Sequence, residues 1–102
     1  MKTVNKERML AEFKEVVALP CHTLQERPVF ELLRAKLEAM GFTVEEDDAG
    51  EKLGGNCGNL WAFLPCIKAG ATSVLFSAHM DGVEPCGGTT VVQKNGVLYS
   101  DG

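Results

Sequence analysis

The chain has 102 residues, 45% of them hydrophobic and 24% charged, with a formal net charge of -4. That is the length of one domain with enough apolar material for a core, which excludes a disordered tail and two independent cores. An acidic chain without a basic cluster cannot release counterions from a phosphate backbone, which argues against nucleic acid and anionic membrane as partners.

No apolar run reaches the roughly 20 residues needed to span a bilayer. The stretch from Met1 to Arg8 is polar where a secretory signal would carry its apolar segment. The compartment expected on this basis is the cytoplasm. Cys21, Cys57, Cys66 and Cys86 form no Cys-x-x-Cys pair. Reduced, packed thiols are therefore expected, and neither disulfides nor a thiolate zinc knuckle.

From Val4 to Leu19 the apolar positions Met9, Leu10, Phe13, Val16 and Val17 recur at three- and four-residue steps, predicting an amphipathic helix ended by Pro20. His22 falls in the turn between Pro20 and Thr23 and is read as structural or solvent-facing. A second helix carries Val29, Leu32, Leu33, Leu37 and Met40 on one face, with Gly41 placed for a left-handed cap. Its onset lies between Gln25 and Pro28, because Thr23 to Glu26 reads as a capping box while Pro28 suits the first helical position.

The period then changes. Phe42 to Glu45 reads as a strand and Glu46 to Gly50 as a solvated acidic turn. The stretch Gly54 to Gly58 lacks the lysine and spacing of a phosphate loop and reads as a turn into the strand Asn59 to Leu64, with Trp61 expected in the core. After a turn at Lys68 to Ala71, the nearly continuous apolar run Ser73 to Ala78 predicts a strand buried on both faces. Gly82 to Gly88 is a loop in which Glu84 beside Pro85 is a loop residue and no base. Val91 to Lys94 and Val97 to Ser100 form a hairpin about Asn95-Gly96. The whole reads as one α/β unit over residues 1–102, two helices followed by a mixed sheet with a terminal β-hairpin, and no second domain.

The chemistry lies in Ser77-Ala78-His79-Met80-Asp81. Side chains two apart on an extended backbone point the same way, so His79 and Asp81 are expected side by side at the carboxy-terminal end of a strand. A neutral imidazole is a good zinc ligand, and a neighbouring carboxylate can fix its ring orientation. His-x-Asp alone is also what a satisfied polar pair at a strand end looks like.

Three linked segments, Ser77-Ala78-His79-Met80-Asp81, Val83-Glu84-Pro85 and Ser100-Asp101-Gly102, resemble in order and spacing the peptidase T branch of the dinuclear zinc exopeptidases related to aminoacylase and the glutamate-releasing carboxypeptidases. Upstream, the Met40-Gly41-Phe42 helix end and the Gly58-Asn59-Leu60 strand start are also similar. The resemblance implies the N-terminal part of a three-layer catalytic domain that hydrolyses short peptides with two zinc ions. His79 would be a ligand to one zinc and Asp81 the catalytic aspartate supporting the site. The family usually has Thr where Gly82 stands, and Cys86 occupies a loop position to which the resemblance assigns no role.

In that family a bridging aspartate, a glutamate pair and further carboxylate and histidine ligands follow Ser-Asp-Gly, and none of them is within these residues. The chain alone is therefore expected neither to hold zinc at full occupancy nor to cleave tripeptides. Two other readings stand beside this one. One is a non-catalytic module that self-associates, or pairs with the remainder of the enzyme, through an exposed sheet edge. The other is a thiol or metal-binding protein using Cys57, Cys66, Cys86 and His79.

Overall fold

A computed structural model describes residues 3–83 and 86–101. The first helix, α1 (Lys6–Val17), begins where Asn5 accepts the Arg8 N–H at 3.0 Å, with Glu7 in its first turn and Lys14 in its last, each complementing the helix dipole. Its apolar stripe is only partly covered: Leu10, Val16 and Val17 are half-buried, while Met9 and Phe13 are exposed. The helix meets α2 through Lys36, whose ammonium lies 3.2 Å from Glu12 and 3.0 Å from Glu15.

The second helix, α2 (Arg27–Ala39), starts within the predicted interval, with Pro28 in its first turn. The predicted capping box does not form. Asn56 Oδ1, far along the chain, accepts the Arg27 N–H at 3.1 Å, while the Glu26 carboxylate accepts from Leu24 at 2.8 Å. At the other end Gly41 takes φ +95°. Its N–H donates to the Glu38 carbonyl and that of Phe42 to the Leu37 carbonyl, each at 3.0 Å, the paired bonds of a Schellman cap.

Strand β1 (Thr43–Glu46) pairs antiparallel with β2 (Leu60–Phe63), Thr43 opposite Phe63 and Glu46 opposite Leu60, and α2 packs on this ladder. Among the described residues the buried hydrophobic core is Val29, Phe30 and Cys57, with Phe30 fully enclosed.

The acidic run is solvent-exposed in part but is not a simple turn, and two of its carboxylates are engaged. Glu46 takes the Arg27 guanidinium on both carboxylate oxygens and the Gly58 N–H at 2.9 Å. Asp47 accepts from Trp61 Nε1 at 3.0 Å, from Asn59 Nδ2 at 2.9 Å, from the Asn59 N–H at 2.8 Å and from the Ala49 N–H at 3.1 Å. A short helix, α3 (Ala49–Leu53), follows and ends at Gly54 with φ +77°. Trp61 is correspondingly displaced from the core: it is 44% exposed, its indole N–H committed to Asp47. The segments run so close that a Cβ on Gly58 would collide with the Asp47 carbonyl, and one on Gly50 with the Cys57 carbonyl.

The run 73–78 also differs from expectation. It forms no strand, and Val74, Leu75 and Phe76 are 70%, 80% and 91% exposed. A strand persists only when its N–H and C=O groups meet a neighbour, and none of the described residues pairs with this one. Strands β3 (Val91–Lys94) and β4 (Val97–Ser100) form a second antiparallel ladder. Asn95 and Gly96 have φ +51° and +75°, the two left-handed residues that a type I′ turn requires. Thr90 and Asp101 close its open end through bonds of 3.0 and 3.1 Å.

Two helices precede the strands as in the predicted α/β unit, but α3 stands between β1 and β2, and among the described residues the strands form two separate antiparallel pairs in place of the predicted mixed sheet, because the run 73–78 that would join them stays unpaired. Its shape is a slab of 48 × 43 × 20 Å with a radius of gyration of 16.0 Å, against about 13 Å for a rounded domain of about 100 residues. Among the described residues no helix is long and apolar enough to cross a membrane.

Candidate functional site

His79 and Asp81 lie together, His79 Nδ1 being 3.3 Å from Asp81 Oδ1. The other carboxylate oxygen, Oδ2, accepts the Thr23 hydroxyl at 2.9 Å. The two side chains thus face one another as the His-x-Asp spacing predicts, although no buried strand delivers them. The anchor is the turn before α2. The Gly82 N–H donates to the Cys21 carbonyl at 2.8 Å, and His22 and Gly82 form an isolated parallel bridge.

Electrostatics follow from these contacts. The Thr23 hydroxyl holds the Asp81 carboxyl below its ordinary value, and the nearby His79 adds to the effect. With Nδ1 engaged, and with the His79 side chain 94% exposed, the imidazole presents Nε2 to whatever enters. Thr23, His79, Asp81, Gly82 and Val83 line an open concavity of about 540 Å³.

An imidazole steadied by a carboxylate suits zinc as part of a donor set. It is not a whole one, since even an open catalytic zinc takes about three protein ligands. Among the described residues no group of three or more His, Cys, Asp or Glu could hold a metal ion. The thiol-metal grouping is not assembled either. Cys57 Sγ lies 3.9 Å from Glu26, Cys66 Sγ lies 2.8 Å from the Lys68 carbonyl, and Cys86 Sγ lies 3.3 Å from His22 Nδ1. Glu84, Pro85 and Gly102, which belong to the segments that carry the resemblance, lie outside the described residues.

Thr23 was not identifiable as a site residue from sequence. It stands three positions before Glu26, a spacing that points to a helix cap, and nothing local links it to a carboxylate 58 positions away. Cys86 lies next to His22 for the same reason, with the loop after Asp81 folded back onto the turn before α2.

No family model matches the chain. It is 36% identical over 99 residues to the uncharacterized protein YqjE of Bacillus subtilis (strain 168), across 97% of this chain and 26% of that protein. Its fold superposes on the crystal structure of aminopeptidase PepT from Bacillus cereus ATCC 10987 with a TM-score of 0.92 and 36% identity, across 96% of this chain and 26% of that one. The chain thus spans about a quarter of the length of either relative, and in the aminopeptidase the match falls in the N-terminal part. By sequence and by fold together, the chain is similar to the N-terminal portion of a peptidase T-type aminopeptidase.

Proposed function

We propose that this chain supplies one corner of the active site of a zinc-dependent aminopeptidase acting on short peptides, with His79 as a metal ligand and Asp81 as the aspartate that steadies it. The observation that supports this is the line of contacts from the Thr23 hydroxyl through the Asp81 carboxylate to His79 Nδ1. Asp81, its pKa held low by Thr23, lies 3.3 Å from Nδ1; there its carboxylate would accept the Nδ1 proton and so leave Nε2 for a metal. Zinc, when bound, supplies Lewis acidity toward water and a peptide carbonyl. With one imidazole and one carboxylate in place, the chain alone binds zinc weakly and does not cleave tripeptides. Its free thiols favour the cytoplasm as its compartment.

A chimera tests the reading. This chain would be joined to the three quarters of the Bacillus cereus aminopeptidase that it does not span, and tripeptide hydrolysis and bound zinc would be measured. The expected outcome is an active enzyme that loses zinc and activity in His79→Ala and falls about 10- to 100-fold in Asp81→Ala, as removal of a residue that orients a metal ligand does. Full activity in both variants would refute the assignment.

The exposure of Val74, Leu75 and Phe76 favours a second reading for the isolated chain. An apolar run with unpaired backbone groups is a template for another strand, so the chain self-associates along 73–78 or pairs there with the remainder of such an enzyme.

A further inference from the structure

The turn before α2 and the loop after Asp81 bring together a second set of groups that peptide hydrolysis does not use. The Cys21 N–H donates to Cys86 Sγ at 3.3 Å across 65 positions, and His22 Nδ1 is 3.3 Å from the same sulfur. The Cys21 sulfur faces the same spot. A Cβ built on Gly82 would lie 2.9 Å from Cys21 Sγ and 3.8 Å from Cys86 Cβ, so both cysteines crowd the side of Gly82 that carries no side chain. Backbone bonds on either side of Cys86 hold the arrangement, from the Gly82 N–H to the Cys21 carbonyl and from the Gly88 N–H to the Ala18 carbonyl, each 2.8 Å. Both cysteines are free thiols and neither is fully buried. Burial, and next the contact with Cys86, push the Cys21 thiol up, which agrees with two sulfurs meeting.

We propose that Cys21 and Cys86 form a peroxide-sensitive dithiol that closes to an intramolecular disulfide. Cys86 is the attacking sulfur, since a backbone N–H and an imidazole nitrogen able to take its proton both lie beside it. The sulfur bonds to one oxygen of hydrogen peroxide, the O–O bond breaks, and the departing hydroxide takes the thiol proton through His22 to leave as water, giving a sulfenic acid. The Cys21 sulfur then attacks that sulfur and the S–O bond breaks. The hydroxide released takes the Cys21 proton, giving a second water. Two thiols lose two electrons and one peroxide becomes two waters. Neither other cysteine has this setting: Cys57 is buried and faces the Glu26 carboxylate, and exposed Cys66 meets, among the described residues, the Lys68 carbonyl and N–H. The bond would staple the turn carrying Thr23 to the loop after Asp81.

The test uses the reduced 102-residue chain, treated with equimolar hydrogen peroxide, digested without reduction and mapped by mass spectrometry. The expected product is a Cys21–Cys86 linked peptide, lighter by two hydrogens, with Cys57 still able to react with a thiol reagent after unfolding. In Cys21→Ser, Cys86 is expected to be trapped as a sulfenic acid that dimedone captures, and His22→Gln is expected to slow disulfide formation severalfold. The mapping in the unaltered chain needs no variant to fold. Peroxide that yields only Cys66 links between two chains, or overoxidised Cys86 beside an intact Cys21, overturns the proposal.

Discussion

Thr23 donates its hydroxyl to Asp81 at 2.9 Å, although 58 positions separate them. The contact makes the carboxylate beside His79 depend on a turn that belongs, in chain order, to the approach to α2. It also sets the Asp81 titration, because this hydroxyl is the largest influence holding that carboxyl below its ordinary range.

Replacing the donor should therefore show directly. In Thr23→Val the Asp81 midpoint is expected to move up toward the ordinary carboxylate value of about 3.9, while Thr23→Ser keeps it low. Carbon-detected NMR titration of the side-chain carboxyl reads both variants. An unmoved midpoint in the valine variant would show that the hydroxyl does not govern the group.

Asp47 contributes to the acid dependence of the fold, as does Glu46 beside Arg27. The Asp47 pKa lies below the usual carboxylate range, first through the Trp61 indole N–H and then through Asn59, so its contribution to stability has a definite sign. That contribution is complete above the unfolded value of about 3.9 and fades as pH falls below it, through the lower folded value. Acid unfolding followed by far-UV circular dichroism should begin at higher pH in Trp61→Phe, which lacks the donor. Asp47→Asn should unfold more easily at neutral pH and lose this part of the acid dependence.

The small core is expected to tolerate little change. Phe30 is wholly enclosed, with the Arg27 guanidinium 4.9 Å from its ring centre. Phe30→Ala should cost about 3–5 kcal/mol in urea unfolding. Gly58→Ala, whose methyl would meet the Asp47 carbonyl, should cost about 1–3 kcal/mol through overpacking. If Phe30→Ala unfolds at the same urea concentration as the parent, the core lies elsewhere.

The run 73–78 should behave in the opposite way. Leu75→Asp and Phe76→Asp, at 80% and 91% exposure, should change monomer stability by no more than about 0.5 kcal/mol. If the apolar run joins two copies, the same changes should shift sedimentation of concentrated chain toward the monomer. An unaltered dimer fraction would place the association surface somewhere else.

What could be read from the sequence is what neighbouring residues decide. The α1 stripe, the glycine cap at Gly41 and the Asn95-Gly96 turn each depend on residues within a few positions, and each is found where predicted. The facing of His79 and Asp81 is of the same kind, a matter of two-residue spacing. Apart from the short helix α3, read as part of a turn, the errors involve distant partners. Thr23 followed a capping pattern but serves Asp81, Glu46 and Asp47 looked like solvated charges but collect donors from Arg27, Gly58, Asn59 and Trp61, and the indole went with them. The apolar run at 73–78 has the composition of a buried strand. Composition cannot supply a neighbour, and none of the described residues does.

The slab shape carries a thermal consequence. A body 20 Å through at its thinnest is about two packed layers deep, so much of its oily surface is already wetted before it melts. Unfolding then hydrates little that was dry, and the heat-capacity increment should fall short of the usual 12–15 cal/mol/K per residue or so. In a calorimeter this would give a stability curve flatter than that of a rounded domain of equal mass, one that steepens once something covers the open side of the plate.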